Sequence, residues 1–246
     1  TPHQSSAASD VYKRQIEGKS IVNDVSIKVC PGEIVGLMGP NGAGKTSTFN
    51  LAVGNLKPDK GDILMNSKSI KNLPLPSRAK LGLGYLTQEA SIFRDLTVKE
   101  NIDLALQKSF FSSAIVRNKR EKIINEFNLN KVVDNYGYQL SGGERRRCEI
   151  ARALSVGRTG PKYLLLDEPF AGIDPLAVND LKKLIIKLSK NGMGILITDH
   201  NVRETLLITN KSYVLSEGKI LAHGSSNELA NNKIVKKFYL GEDFHL

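Results

Sequence analysis

Residues 34–46 read IVGLMGPNGAGKT, an apolar run followed at once by a glycine-rich loop that ends in Lys45 and Thr46. The run Ile34–Met38 is typical of a buried strand, and a helix is predicted to begin near Thr46. Glycines between a strand and a helix let successive backbone N–H groups turn toward phosphate oxygens at the helix N-terminus. The pattern therefore predicts a phosphate-binding loop (P-loop) on an α/β fold.

Lys45 and Thr46 give this loop its expected chemistry. In loops of this pattern the lysine reaches the β- and γ-phosphates of a nucleotide, and the hydroxyl of the next residue ligates Mg²⁺. A plain glycine turn before a helix remains the alternative at this point. The loop therefore indicates nucleotide binding but needs support from the rest of the chain.

The apolar runs that follow predict an α/β fold around this loop. Tyr163–Leu166 and Gly194–Thr198 are short apolar strands, and the stretch Leu181–Leu188 between them has helical spacing. Such βαβ alternation is typical of a parallel sheet. Residues from about 95 to 155 also have mostly helical spacing, and we interpret them as an inserted subdomain.

The two ends of the chain differ in pattern. Residues 1–15 begin without a methionine, are polar and small, and have no regular period, so we interpret them as a tail or a non-native segment. A strand-like pattern starts at Lys19 and leads to a turn at Pro31-Gly32. Residues 210–246 add a shorter strand, Ser212–Leu215, and a closing helix.

Two acidic residues end the strand Tyr163–Leu166. Asp167 and Glu168 would lie at the carboxyl edge of the sheet, where open α/β folds bind ligands. Asp167 would hold the Mg²⁺ shell, and Glu168 would accept a proton from, or orient, the water that attacks the γ-phosphate. Taken alone, a buried strand that ends in a solvated acidic turn is the stronger interpretation.

A third motif, LSGGE, spans Leu140–Glu144 and precedes the basic run Arg145–Arg147. Ser141 and Glu144 have the spacing of a capping box, and the two glycines between them leave the helix N-terminus bare enough for a phosphate. The structural alternative is simply a well-capped helix. For the three arginines we favour a solvated basic face over a phosphate clamp.

Composition narrows the class of protein. The 246 residues are 40% hydrophobic and 24% charged, as in soluble globular proteins, and no apolar run approaches the roughly 18 residues of a membrane span. The net charge of +10 would suit nucleic acid or anionic lipid, but the basic residues are scattered and aromatics make up only 6%, so nucleic-acid binding is unlikely. Cys30 and Cys148 do not suggest an oxidising compartment, and a cytosolic location is expected.

Together these motifs resemble the ATP-binding-cassette (ABC) ATPase family, because LSGGE between a P-loop and an apolar strand ending in Asp-Glu is that family's signature. The resemblance covers about residues 17–246. It identifies Gln88 as the Q-loop glutamine, Ala171–Asp174 as the D-loop and His200 as the switch histidine. Chance matching of all these elements in the family's order is negligible.

The resemblance implies a P-loop NTPase fold: a RecA-like parallel core with an antiparallel β subdomain and an inserted α-helical signature subdomain. Residues 16–246 would form one ABC ATPase domain after the tail at 1–15. Within this domain, residues 16–88 and 156–246 would be the catalytic core, and about 89–155 the helical subdomain.

The resemblance also implies a Mg²⁺-dependent ATPase that works as an ATP-sandwiched homodimer, with ATP and Mg²⁺ as cofactors. The nucleotide-binding residues would be Gly39, Pro40, Asn41, Gly42, Ala43, Gly44, Lys45, Thr46 and Ser47. The catalytic residues would be Glu168, His200 and Gln88, and the Mg²⁺ ligands Thr46, Gln88 and Asp167. The residues that reach the partner chain would be Ser141, Gly142, Gly143 and Glu144 on its ATP, and Asp174 at the dimer contact.

Finer matches resemble the ATPase subunits of bacterial lipopolysaccharide export transporters, most specifically QEASIF at residues 88–93 and LGEDF at residues 240–244. This implies a homodimer under two transmembrane subunits, peripheral on the cytoplasmic face of the inner membrane, that drives lipopolysaccharide toward the outer membrane. The residues expected to line the groove for the partner's coupling helix are Ser91, Ile92, Phe93 and Arg94. An importer ATPase of the branched-chain amino-acid type, and a soluble cassette protein acting on ribosomes or nucleic acid, remain alternatives.

Two features depart from the family pattern. Adenine usually stacks on an aromatic residue, but Ile16 occupies the expected position and Tyr12 lies four residues too early. Either adenine packs against an aliphatic surface or residues 1–15 are not the natural start, and we favour the second explanation. The linker Ser155–Gly160 is a few residues longer than usual, which should only lengthen a surface loop.

Overall fold

The computed structural model of the chain describes residues 7–16, 19–107, 112–157 and 160–246, with side chains from residue 22 onward. The strands in these ranges are β1 (Ala7–Ile16), β2 (Lys19–Val29), β3 (Ile34–Met38), β4 (Lys60–Met65), β5 (Lys68–Ser69), β6 (Leu83–Leu86), β7 (Tyr163–Asp167), β8 (Gly194–Thr198), β9 (Lys211–Ser216) and β10 (Lys219–Gly224).

The α-helices in the same ranges are α1 (Lys45–Val53), α2 (Leu75–Leu81), α3 (Val98–Gln107), α4 (Ser113–Glu126), α5 (Gly142–Leu154), α6 (Pro175–Lys190), α7 (Val202–Leu206), α8 (Ser226–Ala230) and α9 (Lys233–Val235). Short 3₁₀ turns occur at Asn130–Val132 and Gly137–Gln139, and a π-helical turn at Lys236–Leu240. Within the described ranges, no helix has both the length and the apolar character needed to cross a membrane.

A mostly parallel sheet forms the centre of the molecule, in the order β10-β9-β3-β8-β7-β6. The strands from β9 to β6 pair in parallel, and every residue of β3, β7 and β8 is buried. Burial on both faces explains why these strands are continuous apolar runs. Because their carboxyl ends lie at one edge, the sheet brings the P-loop, Asp167 and the segment after Thr198 together. The predicted parallel α/β core is confirmed.

A second sheet is antiparallel and has the order β2-β1-β4-β5. The strand β1 lies inside it and pairs with β2 on one side and β4 on the other. The sequence predicted an irregular tail over residues 1–15, whereas residues 7–15 belong to this strand. Main-chain hydrogen bonds on both sides hold β1, and they do not require a period in the side chains. Residues 1–6 lie outside the described part.

The chain end also differs from its expected pattern. The predicted strand Ser212–Leu215 is the middle of β9, and a second strand, β10, follows where only a helix was expected. Glu217 and Gly218 join the two strands with φ angles of 48° and 74°. Two consecutive positive φ values match the twist of an antiparallel hairpin, so this turn returns the chain along β9.

The helices α3, α4 and α5 lie between β6 and β7 in the chain and form the inserted helical block. Their apolar faces join the core that also covers one side of the parallel sheet. The buried side chains they contribute include Val98, Ile102, Leu106, Val116, Ile124, Cys148 and Ile150. This packing fixes the helical block against the sheet edge that carries the motifs.

Candidate active site

The P-loop joins β3 to α1. Gly39 has φ of 142°, and a Cβ at this position would lie 2.2 Å from the carbonyl oxygen of Leu215, so only glycine fits. Gly44 caps α1 in a left-handed conformation, and no described side chain hydrogen-bonds at this cap. The first N–H groups of α1 are therefore without a side-chain acceptor, which is the arrangement that binds phosphate at a helix N-terminus.

Lys45 lies in the P-loop and is only 8% exposed. Its Nζ donates to the carbonyl oxygens of Gly39, at 2.6 Å, and Pro40, at 3.0 Å. Burial lowers the pKa of this ammonium, while the charges of Glu168 and Asp167 raise it. The loop thus holds its cation with neutral carbonyl groups, which a phosphate would replace with charged oxygens.

The other loop residues vary in exposure. Ala43 and Gly44 are buried, Ser47 is half-buried, and the exposed members are Pro40, Asn41, Gly42 and Thr46. The exposed Thr46 hydroxyl belongs to the first turn of α1, next to Lys45. It is therefore accessible to a ligand that enters the loop.

Asp167 ends β7 and is 1% exposed. Its Oδ1 and the neighbouring Thr198 Oγ1 are buried and have no hydrogen-bond partner within the described residues. Burial, followed by the charge of Glu168, raises the pKa of Asp167 to about 6, although Lys45 opposes the shift. Burial, followed by the charge of Asp167, raises the pKa of Tyr85 to about 12. A buried carboxylate oxygen without a partner is a free ligand position for a cation.

Glu168 brings the predicted catalytic residues together. Its Oε2 accepts a hydrogen bond from Gln88 Nε2 at 3.0 Å, and its Oε1 lies 2.9 Å from His200 Nε2. Glu168 is 8% exposed and has φ of 51°, a left-handed conformation unusual for this residue type. Two side chains from separate segments therefore meet at the carboxylate of Glu168.

Asp199 supports this arrangement, and sequence reasoning missed it. Its Oδ2 accepts from the N–H of Phe170 and its Oδ1 from the N–H of Asn201, both at 2.8 Å. Burial raises the pKa of this carboxyl group. Because Asp199 bridges the loops after β7 and β8, it fixes His200 relative to Glu168. Its place beside His200 was the available sequence signal.

The LSGGE motif begins α5 with the predicted capping box. The Ser141 Oγ accepts from the N–H of Glu144, and Glu144 Oε2 accepts from the N–H of Ser141 at 2.9 Å. Gly142 lies beside Gly172, and a Cβ at Gly143 would lie 2.6 Å from the Cβ of Ala177, so glycine lets α5 approach α6. Among the described residues, no hydrogen bond joins the motif to the P-loop of its own chain.

Asp174 acts locally in this structure. Its Oδ1 accepts from the N–H of Ala177 at 2.9 Å and caps α6. The side chain therefore stabilises the helix on which Gly143 packs. The D-loop and the LSGGE motif are thus neighbours on one surface of the chain.

The interpretation of Arg145–Arg147 as a solvated basic face is wrong for its middle member. Arg146 is 4% exposed, and its guanidinium donates to the carbonyl oxygens of Thr87, Gln88 and Glu168 at 3.0–3.2 Å. It also pairs with the buried Glu149 at 3.0 Å. The face of α5 that carries Arg146 packs on the sheet edge, which the sequence alone does not reveal.

The expected partner groove is only partly formed by the expected residues. Ser91 and Phe93 line a cavity of about 350 Å³ together with Leu104 and Arg152. Ile92, in contrast, is 8% exposed and belongs to the core, so its assignment to the groove is wrong. The chain bends at Ile92, and its side chain packs into the core between the exposed residues Ser91 and Phe93.

Arg94 is also exposed but does not line this cavity. Phe93 is 45% exposed, and the guanidinium carbon of Arg152 lies 4.4 Å from its ring centroid. The predicted adenine position cannot be compared in the same way, because the side chains of Tyr12 and Ile16 lie outside the described residues. Residues 158–159 of the linker after α5 lie outside them as well.

Known proteins of one family resemble this chain in sequence. Residues 22–171 match the ABC transporter family. The chain is 50% identical over 234 residues to the lipopolysaccharide export system ATP-binding protein LptB of Haemophilus influenzae, covering 95% of this chain and 96% of that one. It is 51% identical over 231 residues to the protein of the same name from Escherichia coli strain K12, covering 94% and 95%.

A solved structure extends the comparison to the fold. The ADP conformation of an ATP-binding cassette of an ABC transporter superposes with a TM-score of 0.85 at 26% identity, covering 98% of this chain and 100% of that one. Family, relatives and fold thus agree with the family that the motifs indicated. The chain belongs to the ABC transporter family and is one of its ATP-binding, ATP-hydrolysing subunits.

Proposed function

We propose that Glu168 is the general base of ATP hydrolysis and that Gln88 and His200 orient its carboxylate and the attacking water. The observation that carries this proposal is that each oxygen of the carboxylate contacts one of these two side chains. Such a base accepts the proton of the water as it attacks the γ-phosphate. The buried position of Glu168 holds the carboxylate in place before the substrate arrives.

Lys45 would bind the phosphates in this scheme. Its ammonium is held by two loop carbonyl oxygens, and the β- and γ-phosphates would take their place. The N-terminus of α1, which has no side-chain cap, would donate hydrogen bonds from its N–H groups to the same phosphates. Negative charge on the phosphates would therefore meet a cation and a helix dipole at the same point.

A Mg²⁺ ion fits the residues at this edge. The buried Asp167 Oδ1 lacks a partner among the described residues, Thr46 is an exposed residue next to Lys45, and both offer the hard oxygen ligands that Mg²⁺ prefers. When bound, the ion would neutralise charge on the β- and γ-phosphates. Gln88 would be its third protein ligand, through its amide oxygen.

We further propose that two copies of this chain close over ATP, with Ser141, Gly142, Gly143 and Glu144 of one copy facing the nucleotide of the other. The motif has no hydrogen bond to its own P-loop within the described residues, so its phosphate partner is expected elsewhere. Asp174 and Gly172 lie beside the motif and would share the contact. Nucleotide binding would then shift the balance from monomer to dimer.

The cargo we propose is lipopolysaccharide. The relatives described above are named for lipopolysaccharide export, and they are about half identical to this chain over nearly its whole length. The homodimer would work under two transmembrane subunits on the cytoplasmic face of the inner membrane. The cavity beside Phe93 would receive an apolar side chain of those subunits.

The experiment that tests the catalytic proposal is Glu168→Gln. Hydrolysis is expected to fall by about 10²- to 10⁴-fold, because the amide cannot accept the proton, while ATP still binds and produces a dimer in solution. Glu217→Gln is a matched control, since Glu217 is an exposed glutamate that also has a positive φ. Hydrolysis that persists in Glu168→Gln would contradict the assignment of the base.

The partner proposal has a separate test. Phe93→Ala should abolish co-purification with the transmembrane subunits, because it removes the exposed apolar side chain of the cavity. Ile115→Ala removes a similarly exposed apolar side chain from α4 and should leave co-purification intact. A Phe93→Ala chain that still assembles, with the same thermal stability as the unaltered protein, would contradict the proposal.

A further inference from the structure

Arg146 makes buried contacts to both segments that hold the catalytic carboxylate. One guanidinium nitrogen donates to the carbonyl oxygen of Thr87, and the other donates to those of Gln88 and Glu168. A guanidinium is planar and has donors in fixed directions, so it can hold several carbonyl groups in one mutual geometry. The backbones at Gln88 and Glu168 are therefore fixed relative to one another by a single side chain.

Glu149 connects Arg146 to the cavity beside Phe93. Its side chain is fully buried, and its Oε2 lies 3.0 Å from the guanidinium of Arg146. Its other oxygen, Oε1, accepts from the N–H groups of Ser91, at 2.8 Å, and Ile92, at 3.2 Å. Each oxygen of this carboxylate thus has a defined partner: one holds the cavity wall, the other holds the arginine.

The backbone conformation of Glu168 depends on contacts such as the one from Arg146. A left-handed conformation in a non-glycine residue is unfavourable and persists only where surrounding contacts enforce it. The Glu168 carbonyl oxygen accepts from Arg146 at 3.2 Å and from the N–H of Ala171 at 3.3 Å, and its own N–H donates to Thr198 at 2.8 Å. Arg146 is the side chain among these contacts, so it is the one a substitution can alter.

We propose that Arg146 and Glu149 form a positioning pair that sets the rate of hydrolysis by holding the backbones of Gln88 and Glu168 and that ties both to Ser91 in the cavity wall. This proposal rests on the proposed catalytic role of Glu168. A segment of a membrane subunit seated in the cavity would press on the exposed Ser91, whose N–H donates to Glu149. Displacement of the pair would then move the catalytic carboxylate without any contact between partner and nucleotide.

The first test is Arg146→Lys in the full-length protein. Lysine keeps the charge opposite Glu149 but lacks the fixed fork that reaches three carbonyl oxygens. We expect kcat to fall about tenfold, as for a small misplacement of a catalytic group, with KM for ATP unchanged within about twofold. Arg120→Gln is the matched control, because it removes an ion pair with Asp103 in the same helical block; its kcat should stay within about twofold.

A double-mutant cycle separates positioning from general stability. If Arg146 acts through Glu168, adding Arg146→Lys to Glu168→Gln should cause no further fall in the release of radiolabelled phosphate. Loss that multiplies in that background, or a rise in KM in place of the fall in kcat, would overturn the positioning pair. The Glu168→Gln single variant decides the proposed base separately, since its outcome does not involve Arg146.

A second variant covers the case in which Arg146→Lys does not fold. Arg146→Gln combined with Glu149→Gln removes both buried charges together and leaves neither unpaired. The same fall in kcat at unchanged KM is expected, because two amides do not reproduce the contacts to three carbonyl oxygens. Unaltered kcat in a folded double variant would overturn the proposal.

Discussion

The helices α1 and α5 begin in opposite ways, although both carry a glycine-rich motif at the N-terminus. The first turn of α1 has no acidic residue, its cap is a left-handed glycine, and no described side chain bonds to it. The first turn of α5 is closed by the reciprocal hydrogen bonds of Ser141 and Glu144. The N-terminal N–H groups of α5 have a side-chain acceptor within the chain, whereas those of α1 would gain theirs from a bound anion.

Folding shifts the pKa values of two carboxyl groups at these ends in opposite directions: Glu144 of α5, and Asp167, whose charge interacts with Lys45 of α1. The hydrogen bond from Ser141 lowers the pKa of Glu144, so folding favours its charged form. Burial raises the pKa of Asp167 to about 6, so folding disfavours its charged form in the absence of ligand. The LSGGE end is therefore built for stability, and the P-loop end keeps unfavourable charge that a nucleotide and cation would compensate.

The largest expected effect comes from removing the cation of the P-loop end. Lys45→Ala should weaken ATP binding at least about a hundredfold, because a buried ammonium at phosphate is a strong, charge-assisted partner. A fluorescent nucleotide titration would measure Kd. Lys80→Ala removes the same charge from an exposed position on α2 and should leave Kd within about twofold. An unchanged Kd in Lys45→Ala would mean that the two helix ends do not differ as described.

The next effect concerns Asp167 and depends on pH. The folded-state pKa of about 6 lies above the unfolded value of about 4, so the folded state binds the proton more tightly and stability falls as the pH rises between these values. Asp167→Asn should therefore raise the free energy of unfolding at pH 7.5 by about 2 kcal/mol without ligand, and the gain should vanish near pH 4.

Urea unfolding at several pH values would measure this effect. Asp180→Asn, at an exposed position of α6, should change stability by less than about 0.5 kcal/mol at either pH. A gain that is independent of pH would mean that packing, and not the charge of Asp167, is responsible. Asp167→Asn should also lose hydrolysis, since it removes the proposed cation ligand.

The smallest effect is expected from removing the capping box of α5. Ser141→Ala should lower the free energy of unfolding by about 1 kcal/mol at neutral pH, and less as the pH falls through the lowered pKa of Glu144. ATP binding to the isolated chain should not change. Ser225→Ala removes a second capping box, at α8, and is the matched control. Only Ser141→Ala should also slow hydrolysis by the dimer; equal rates would contradict the role proposed for the motif.

The sequence predicted the sheet edge and the residues that lie on it well, because these depend on local patterns. The apolar run of each strand is followed directly by a candidate functional residue, as Gly39 follows Met38 and Asp167 follows Leu166, and a parallel sheet brings such residues to one edge. The family that the motifs indicated is confirmed by the comparisons. The meeting of Gln88, Glu168 and His200 followed from their family roles and not from their spacing.

What the sequence did not predict depends on tertiary packing. Burial of Arg146 requires knowledge of which face of α5 meets the sheet edge, and an arginine run alone is typical of a solvated surface. Ile92 and Phe93 are adjacent and both apolar, so nothing local says which is inside. The strand β1 has no side-chain period because its two neighbours supply main-chain partners. Each of these facts is a contact between distant segments.

The interior position of β1 has a practical consequence for protein engineering. An affinity tag fused directly to Ala7 is attached to a strand that separates β2 from β4. A protease site placed within residues 7–16 would cut through the middle of the sheet. A fluorescent reporter is better attached at exposed positions such as Ser113 or Ala114 at the start of α4, where the label disturbs neither sheet.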